Sequence, residues 1–212
     1  MPRYIYPPRP KSKIHPRQLD DEESSGLWLW QRKFDGHRCI AAIDGKTVHL
    51  GTRHNKWHSA SKLPQIRREL SALKLPSGIS YLDGELVQNK ILVLFDVLQL
   101  SEYLIGVSQL ERLDMLNGVC REPTDFCQEG VALKVSEHIW MAEYGFENFL
   151  LHFEEFCPYR SHPKGGLKGG GEGLIEGLVL RRRESSLDNW GSNQYEVDWQ
   201  VRCRAGKKNY RF

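Results

Sequence analysis

The feature that most constrains the fold of this chain is a lysine placed between an apolar strand and a glycine turn. The run Leu27-Trp28-Leu29-Trp30 leads into Lys33-Phe34-Asp35-Gly36-His37-Arg38, a K-x-D-G-x-R hexapeptide. Desolvation by the strand and the nearby cations Arg32 and Arg38 both favour loss of the lysine proton, and only the neutral amine is a nucleophile. The alternative for so short a motif is an exposed hairpin lysine. The hexapeptide therefore predicts a strand, a turn and a candidate nucleophile, Lys33.

Two segments further along the chain combine acids with apolar residues. Residues 81–87, with the sequence YLDGELV, are interpreted as a turn that brings Asp83 and Glu85 to the mouth of a strand. Residues 91–98 are typical of a buried strand, and they contain an aromatic residue followed by an acid, Phe95 and Asp96. Taken alone, Glu85 would be an ordinary turn acid and Phe95 an ordinary core residue.

The C-terminal part of the chain repeats this design. Residues 175–181 join a carboxylate, Glu176, to a glycine, an apolar strand and a cation. Residues 199–204 alternate apolar and polar positions, so Arg202 and Arg204 are expected on one face of a strand. The glycine-rich residues 164–173 lack the G-K-[ST] ending of a phosphate-binding loop, and we interpret them as a flexible surface loop.

In their order and spacing, these segments resemble the nucleotidyltransferase motifs of ATP-dependent DNA ligases, a superfamily that also contains RNA ligases and mRNA-capping guanylyltransferases. The resemblance runs from about residue 5 to the last residue. It implies an α+β protein with the nucleotidyltransferase (ATP-grasp-like) fold, in which helices flank two largely antiparallel sheets and no OB-fold domain follows. Strand pairs interrupted by helices favour the same class.

The resemblance also implies roles for individual residues. Lys33 would attack the α-phosphate of ATP, release pyrophosphate and hold AMP as a phosphoamide. Phe95 would stack on the adenine, while Glu176 and Glu85 would hold Mg²⁺ (or Mn²⁺), with Glu85 also serving the ribose hydroxyls. The contacts expected for the other site residues are Asp35 with the water shell of the metal or with Arg38, Arg38 and Arg53 with the ribose and phosphates, and Arg202 and Arg204 with the triphosphate. Arg112 resembles a recurrent helix position of the family, although a salt bridge would explain it equally well.

Two departures from the family pattern leave alternatives open. The last motif normally carries two lysines, whereas this chain has Arg202 and Arg204, which keep the charge but bind phosphate in a forked geometry. The sequence ends eight residues after Arg204, where DNA ligases and capping enzymes continue into an OB-fold domain. A minimal, phage-like DNA ligase is the first interpretation. An RNA ligase, a guanylyltransferase and a nucleic-acid-binding module without adenylylation activity remain alternatives.

The organisation along the chain is predicted from composition and periodicity. Residues 1–26 are rich in proline and charge, which favours an extended basic leader rather than a helix, and residues 27–212 are assigned to the nucleotidyltransferase domain. Asp44-Gly45 indicates a hairpin. Apolar residues recur at helical spacing in 59–73, 107–118 and 145–156, and the stripe Phe146, Phe149, Leu150 and Phe153 is assigned to core packing.

Charge and cysteine content bear on partners and location. The net charge of +3, from 30 Lys+Arg and 27 Asp+Glu, does not by itself indicate a nucleic-acid-binding protein. Basic residues cluster at the N-terminus, at 181–183 and over 202–211, and we expect the last two to form one surface for the 5′-phosphate side of nicked double-stranded DNA, with RNA as the alternative. The five cysteines form no C-x-x-C pair and no signal peptide precedes them. We therefore expect an intracellular, cytoplasmic monomer without a membrane span, with a phage or other viral origin left open.

Overall fold

The computed structural model describes residues 1–128, 130–156 and 174–204, and the strands of this part form two sheets. Both the glycine-rich residues 164–173 and the basic residues 205–211 lie outside the described residues. The first sheet has five strands, numbered here in chain order and arranged in space as β1 (Arg9–Lys13), β13 (Glu196–Arg204), β12 (Ile175–Arg182), β2 (Trp28–Phe34) and β11 (Tyr144–Gly145).

The second sheet has eight strands. Its spatial order is β5 (Lys56–Trp57), β4 (Thr47–Thr52), β3 (His37–Asp44), β6 (Ile79–Val87), β7 (Ile91–Leu100), β10 (Ile139–Met141) and β9 (Leu133–Lys134), with β8 (Glu102–Tyr103) paired to β7. Among the described strands, the pairs β1–β13 and β7–β10 are parallel, and the other pairs are antiparallel.

Helices cover the outer faces of both sheets. They are α1 (Leu19–Ser24), α2 (Pro64–Leu70), α3 (Gln109–Val119) and α4 (Phe149–Phe156). The apolar sides of α1 and α4 pack on the five-stranded sheet, and those of α2 and α3 on the eight-stranded sheet. The predicted α+β class with two largely antiparallel sheets is confirmed, and no separate OB-fold barrel is found in residues 1–128, 130–156 and 174–204. None of the helices in these ranges is long and apolar enough to cross a membrane.

The predicted helices are confirmed, with narrower bounds for α2 and α4, whereas α3 begins two residues later and ends one residue later than expected. Helix α3 begins where a capping box forms: the Ser108 hydroxyl accepts the Glu111 N–H at 3.3 Å, and the Glu111 carboxylate accepts the Ser108 N–H at 2.9 Å. In α4, Phe149 and Phe153 are fully buried, as expected of core residues. The expectation was wrong for Phe146, which precedes the helix and is exposed.

Residues 1–26 pack against the rest of the chain. Strand β1 is extended, as predicted, but residues 19–24 form α1 where an extended leader was expected. Leu19 is buried against the tryptophans of β2, and the acids at 20–22 stabilise the positive N-terminal end of this helix. The division of the chain at residue 26 stays a prediction.

The structure also corrects the expectation for residues 81–87. They were interpreted as a turn, yet they belong to the continuous strand β6, and Asp83 is fully buried. Gly84 is needed for a close approach between strands, because a Cβ there would lie 2.7 Å from the carbonyl oxygen of Val93. The hairpin expected at Asp44-Gly45 is confirmed between β3 and β4, where Gly45 has a φ of 54°.

Candidate active site

A cleft lies between the inner faces of the two sheets. Because side chains alternate along a strand, β2, β12 and β13 turn one set of residues toward the eight-stranded sheet. This set comprises Gln31, Lys33, Val179, Arg181, Gln200, Arg202 and Arg204. The opposite wall is formed by Arg38 of β3, Glu85 of β6 and Phe95 of β7, and the cleft encloses about 130 Å³. The structure therefore brings most of the predicted site residues together.

Lys33 and Glu176 meet at one end of this cleft. The Lys33 amine contacts Oε1 of Glu176, and Nη2 of Arg204 lies 3.1 Å from the same oxygen. The side chains of Lys33, Glu176 and Arg204 are 17%, 24% and 19% exposed, so the group is partly shielded but open to a ligand. One carboxylate thus holds a candidate nucleophile beside a second cation.

A β-bulge explains how Glu176 reaches Lys33. Strict alternation along β12 would place Glu176 with the buried Leu178 and Leu180, on the face covered by α4. The pairing with β2 shifts between Ile175 and Gly177, which leaves Glu176 as an extra residue. Gly177 has a φ of 147°, in the region that favours glycine. The bulge therefore turns the Glu176 carboxylate into the cleft.

Arg38 is held by a buried carboxylate. Its Nε donates to Oδ1 of Asp83 at 2.9 Å, Nη2 contacts Oδ2 of the same residue, and Nη1 donates to the carbonyl oxygen of Pro8 at 3.0 Å. Burial alone would lower the pKa of Arg38, but the Asp83 carboxylate raises it. Asp35 was expected to contact a metal's water shell or Arg38. The expected contact with Arg38 needs correction, because Arg38 is bound to Asp83. Asp35 is exposed and does not line the cleft.

The acidity of Glu85, a carboxylate that lines the cleft, is altered by its surroundings. Burial, together with the carboxylates of Asp83 and Glu176, raises the pKa of Glu85 to about 7, although Lys33 and Arg38 oppose the shift. Glu85 lies on β6 directly opposite Arg38 in the β3–β6 register. Near neutral pH this carboxyl group is therefore divided between its protonated and ionised forms.

Phe95 forms the aromatic wall of the cleft. Asp83 and Gly84 of β6 pair with Asp96 and Leu94 of β7, so Phe95 is an extra residue in a bulge. The guanidinium carbons of Arg38 and Arg181 lie 5.4 and 5.1 Å from the centre of its ring. Phe95 is only partly buried, so its ring is accessible to a ligand in the cleft.

Asp96 anchors a buried network beneath Phe95. Its carboxylate accepts from Nε and Nη2 of Arg112 at 3.0 and 3.2 Å and from Nη1 of Arg181 at 3.0 Å. Burial would raise the pKa of Asp96, but the two guanidinium groups together lower it. The salt-bridge interpretation of Arg112 is therefore confirmed. The expected surface cluster at 181–183 needs correction, because Arg181 is only 3% exposed and faces Asp96.

Arg53 occupies a different place from the other predicted residues. It does not line the cleft between the sheets, but a neighbouring cleft on the far side of Arg38. Its expected contact with the ribose and phosphates of a nucleotide stays a prediction.

Several cleft residues were not predicted as site residues from the sequence, among them Gln31, Gln200 and Arg9. Gln31 is 2% exposed, and its Nε2 donates to the carbonyl oxygen of Phe95 at 3.2 Å. Gln200 is 1% exposed. Both could have been found, since they precede Lys33 and Arg202 by two positions and therefore lie on the same face of their strands. Arg9 could not, because it joins the cleft only through the pairing of β1 with β13.

Carboxylate oxygens are the ligands that Mg²⁺ and Mn²⁺ prefer. Glu85 and Glu176 fit such an ion, because both carboxylates lie close enough to Lys33 to interact with its charge, and the charge of Glu176 adds to the burial that raises the pKa of Glu85. These two residues are the candidates for holding a divalent cation.

Comparison with known proteins supports the fold. No family model and no curated protein matches this sequence. Solved structures do match. They include the ligase domain of LigD from M. tuberculosis (18% identity over 94% of this chain and 60% of that chain, TM-score 0.62). A Lig E DNA ligase studied for DNA binding with a minimal scaffold also matches (17%, 94% and 69%, TM-score 0.52), as does the ATP-dependent DNA ligase of bacteriophage T7 in complex with ATP (13%, 91% and 67%, TM-score 0.51).

These similarities define the fold. The described residues have the nucleotidyltransferase fold, with a cleft between the two sheets. More particularly, it is the fold of the adenylation domain of ATP-dependent DNA ligases. The chain spans 60% of the length of the matched LigD domain.

Proposed function

We propose that this protein is an ATP-dependent polynucleotide ligase that acts on DNA. It forms a lysyl-AMP intermediate at Lys33 and transfers AMP to a 5′-phosphate, so that a nick can be sealed. The observation that carries the proposal is the placement of the Lys33 amine against Glu176 and beside Arg204, at the end of a cleft with an aromatic wall. A nucleotide whose base lies against Phe95 would direct its phosphates toward these groups.

The first step makes a bond between Lys33 Nζ and the α-phosphorus. The amine donates its electron pair, and the bond from the α-phosphorus to the bridging oxygen of pyrophosphate breaks, with its electrons leaving on pyrophosphate. Attack requires the neutral form of the amine, and the Glu176 carboxylate that contacts it can accept the departing proton. Such transfers depend mainly on positioning and on neutralising charge. Arg202 and Arg204 supply positive charge at the same end of the cleft.

A divalent cation, Mg²⁺ or Mn²⁺, would be held by Glu176 and Glu85 and would neutralise phosphate charge when bound. Arg38 is fixed by Asp83 and Pro8, so its guanidinium can orient a ribose or phosphate without rearranging. In the second step the divalent cation and Arg38 would hold AMP. An oxygen of the 5′-phosphate would then attack the phosphorus of AMP, and the amine of Lys33 would leave. In the third step a 3′-hydroxyl would displace AMP and complete the phosphodiester bond.

DNA is favoured over RNA as the substrate because the matched proteins are DNA ligases, one of them studied for DNA binding. The natural partner is proposed to be nicked double-stranded DNA, bound by a monomer. An RNA ligase would use the same nucleotide cleft, so the nature of the nicked strand has to be varied directly.

The decisive experiment is incubation with α-labelled ATP and Mg²⁺, followed by mapping of the acid-labile adduct. We expect an adduct on Lys33, its loss in Lys33→Ala and in Lys33→Arg, since a guanidinium stays protonated, and its retention in Lys46→Ala, which alters an exposed lysine of the β3–β4 turn. Excess chelator should abolish labelling. Labelling that persists in Lys33→Ala would refute the assignment.

The same preparation separates the alternatives. Labelling by GTP in place of ATP would indicate a guanylyltransferase. Sealing of a nicked RNA strand but not of DNA would indicate an RNA ligase. Binding of nicked DNA without any nucleotide adduct would indicate a nucleic-acid-binding module that lacks adenylylation activity.

A further inference from the structure

Arg9 is a cation of the nucleotide cleft, the cleft between the two sheets, and it comes from none of the sequence motifs. It lines this cleft together with Arg38 and Arg202, yet it belongs to strand β1 at the edge of the five-stranded sheet. Its place in the cleft depends on the parallel pairing of β1 with β13, in which Arg9 lies opposite Glu196. The proposed ligase reaction leaves this guanidinium without a role.

The backbone around Arg9 is restrained. Arg9 stands between Pro8 and Pro10, whose rings fix their own φ, and a residue that precedes a proline is restricted to extended conformations. The carbonyl oxygen of Pro8 accepts a hydrogen bond from Nη1 of Arg38 at 3.0 Å, which ties this segment to the eight-stranded sheet. Nη1 of Arg9 donates to Oε1 of Gln194 at 3.1 Å. The backbone therefore sets the direction of the Arg9 side chain, and one nitrogen of its guanidinium is already held.

The rest of the Arg9 guanidinium is available to a ligand. Within residues 1–128, 130–156 and 174–204, Gln194 is its only hydrogen-bond partner and no carboxylate forms an ion pair with it. The Arg9 side chain is also exposed, so its Nε and Nη2 atoms are accessible. A guanidinium binds the oxygens of a phosphate with several N–H groups and keeps its charge at neutral pH. Arg9 therefore fits a phosphate group in the cleft.

Arg9 adds to a group of like charges on β13. Burial lowers the pKa of Arg202, and the charges of Arg204 and Arg9 lower it further. The carboxylates of Glu196 and Glu176 oppose this shift. Nε of Arg202 is buried and makes no hydrogen bond within the part of the chain that the structure describes. Because these cations repel one another, the cleft favours a ligand that carries several negative charges.

The order of the strands gives the direction in which the leaving group departs. Lys33 lies on β2, Arg202 lies two strands away on β13, and Arg9 lies on β1 beyond it. Neighbouring strands are about 4.8 Å apart, so β1 is roughly 14 Å from β2. In phosphoryl transfer the attacking and leaving atoms are roughly in line with the phosphorus. An α-phosphate that Lys33 attacks from the side of β2 therefore releases pyrophosphate toward Arg202 and Arg9.

We propose that Arg9 binds the β- and γ-phosphates of ATP and stabilises the pyrophosphate that leaves when Lys33 attacks. This inference rests on the proposed ligase function and adds the residue that receives the leaving group. When the bond from the α-phosphorus to the bridging oxygen breaks, its electron pair moves to that oxygen, and negative charge develops beside Arg9 and Arg202. In the reverse reaction, an oxygen of pyrophosphate attacks the phosphorus of lysyl-AMP, the amine of Lys33 leaves and ATP forms again.

The direct test is isothermal titration calorimetry with inorganic pyrophosphate, in the absence of nucleotide and DNA. Arg9→Ala should weaken pyrophosphate binding by about tenfold, the loss expected for one hydrogen bond between charged groups. The effect on AMP should be much smaller, because AMP lacks the β- and γ-phosphates. Arg9→Lys keeps the charge without the forked geometry, so its affinity for pyrophosphate should fall between those of Arg9→Ala and the unaltered protein.

The matched control is Arg17→Ala. Arg17 is an exposed arginine of the same N-terminal part of the chain, and it does not line the nucleotide cleft. This variant should bind pyrophosphate as the unaltered protein does. Equal losses in Arg9→Ala and Arg17→Ala, or no pyrophosphate binding by the unaltered protein, would overturn the proposal.

A second arm measures the reverse reaction. Protein that carries labelled lysyl-AMP is mixed with pyrophosphate, and the ATP that forms is measured. Arg9→Ala should need about tenfold more pyrophosphate to reach its half-maximal rate. A lower maximal rate with an unchanged requirement for pyrophosphate would show a purely structural effect and contradict the proposal. Weaker binding of nicked DNA with unchanged pyrophosphate binding would also contradict it, because Arg9 would then contact the polynucleotide.

The two arms separate this inference from the proposed ligase function. Calorimetry with pyrophosphate needs no lysyl-AMP, so it measures the role of Arg9 even in a protein that forms no adduct. Failure of the unaltered protein to form lysyl-AMP would refute the ligase function alone. Adduct formation with equal pyrophosphate affinities in Arg9→Ala and the unaltered protein would refute the role of Arg9 alone.

Discussion

The amine of Lys33 and the carboxylate of Glu176 contact each other across neighbouring strands. The contact depends on the bulge at Glu176, since a regular β12 would turn this carboxylate away from the cleft. In the proposed ligase reaction, Glu176 would hold the lysine before the nucleotide binds and would bind a metal ion afterwards. Substitutions at this pair should therefore affect both the reactivity of the amine and the chemistry.

Replacing Glu176 by Gln should lower lysyl-AMP formation by at least about 100-fold, because a group that positions the nucleophile and neutralises charge is lost. It should also increase modification of Lys33 by amine-directed reagents, since the counter-ion that engages the amine is removed. Peptide mapping after brief acylation measures the second effect. Glu184→Gln, an exposed acid outside the nucleotide cleft, is the control. Unchanged acylation of Lys33 would argue against the contact.

Gly177→Ala should destabilise the fold by on the order of 3 kcal/mol or more. An added Cβ would lie 2.0 Å from the carbonyl oxygen of Cys203, and a φ of 147° is unfavourable for alanine. Gly118→Ala, inside α3, has open space around its Cβ and should instead stabilise by about 0.5–1 kcal/mol. Urea unfolding of both variants measures the sign of each change in the free energy of unfolding. A neutral Gly177→Ala would mean that the bulge can be rebuilt without glycine.

Asp96→Asn should cost about 3–5 kcal/mol of unfolding free energy, because Arg112 and Arg181 would keep buried charges without their carboxylate. Burial lowers the pKa of Arg181 to about 10, and the Asp96 carboxylate opposes this shift. Asp125→Asn changes an exposed acid and should alter stability by no more than about 0.5 kcal/mol. Denaturant melts at neutral pH provide the measurement, and similar values for the two variants would contradict the network.

The raised pKa of Glu85 predicts a pH dependence of stability. Between its ordinary value of 4.5 and about 7, the folded protein holds a proton on Glu85 that the unfolded chain has released. The folded state binds more protons in this range, so its stability falls as the pH rises. Glu85→Gln removes this loss and should gain on the order of 2 kcal/mol relative to the unaltered protein between pH 5 and 8. Exposed Glu102→Gln should show no such trend in parallel denaturant titrations.

The sequence allowed the residues of the cleft between the two sheets to be predicted where a short motif and a strand adjoin in the chain. Lys33, Glu176 and Arg204 were named from their motifs, and the structure brings them together. The face on which Glu176 lies could not be predicted, because a bulge adds one residue and reverses the alternation. Asp83 was assigned to a turn on the strength of Gly84, whereas that glycine serves a close strand contact.

Long-range strand pairing accounts for the remaining differences between the predicted and the observed positions of site residues. From the sequence, Arg181 was expected to be one of three surface arginines. Its pairing opposite Gln200 in the sheet turns its side chain toward Asp96. Arg53 follows a short strand in the sequence as the other motifs do, yet the wall formed by Arg38 separates it from the nucleotide cleft. Neither the direction of Arg181 nor the position of Arg53 can be predicted from periodicity, because periodicity describes one strand at a time.

The parallel pairing of β1 with β13 has a consequence for biosynthesis. A strand made at the start of translation must wait for its partner until residues 196–204 have left the ribosome, and contacts so distant in the chain form slowly. Until then β12 lacks a neighbour on one side, and its open edge can pair with another chain. A nascent chain that already contains Lys33 therefore has no arginines of β13 beside it, so the contact between Glu176 and Arg204 can form only when nearly all of the described chain has been made.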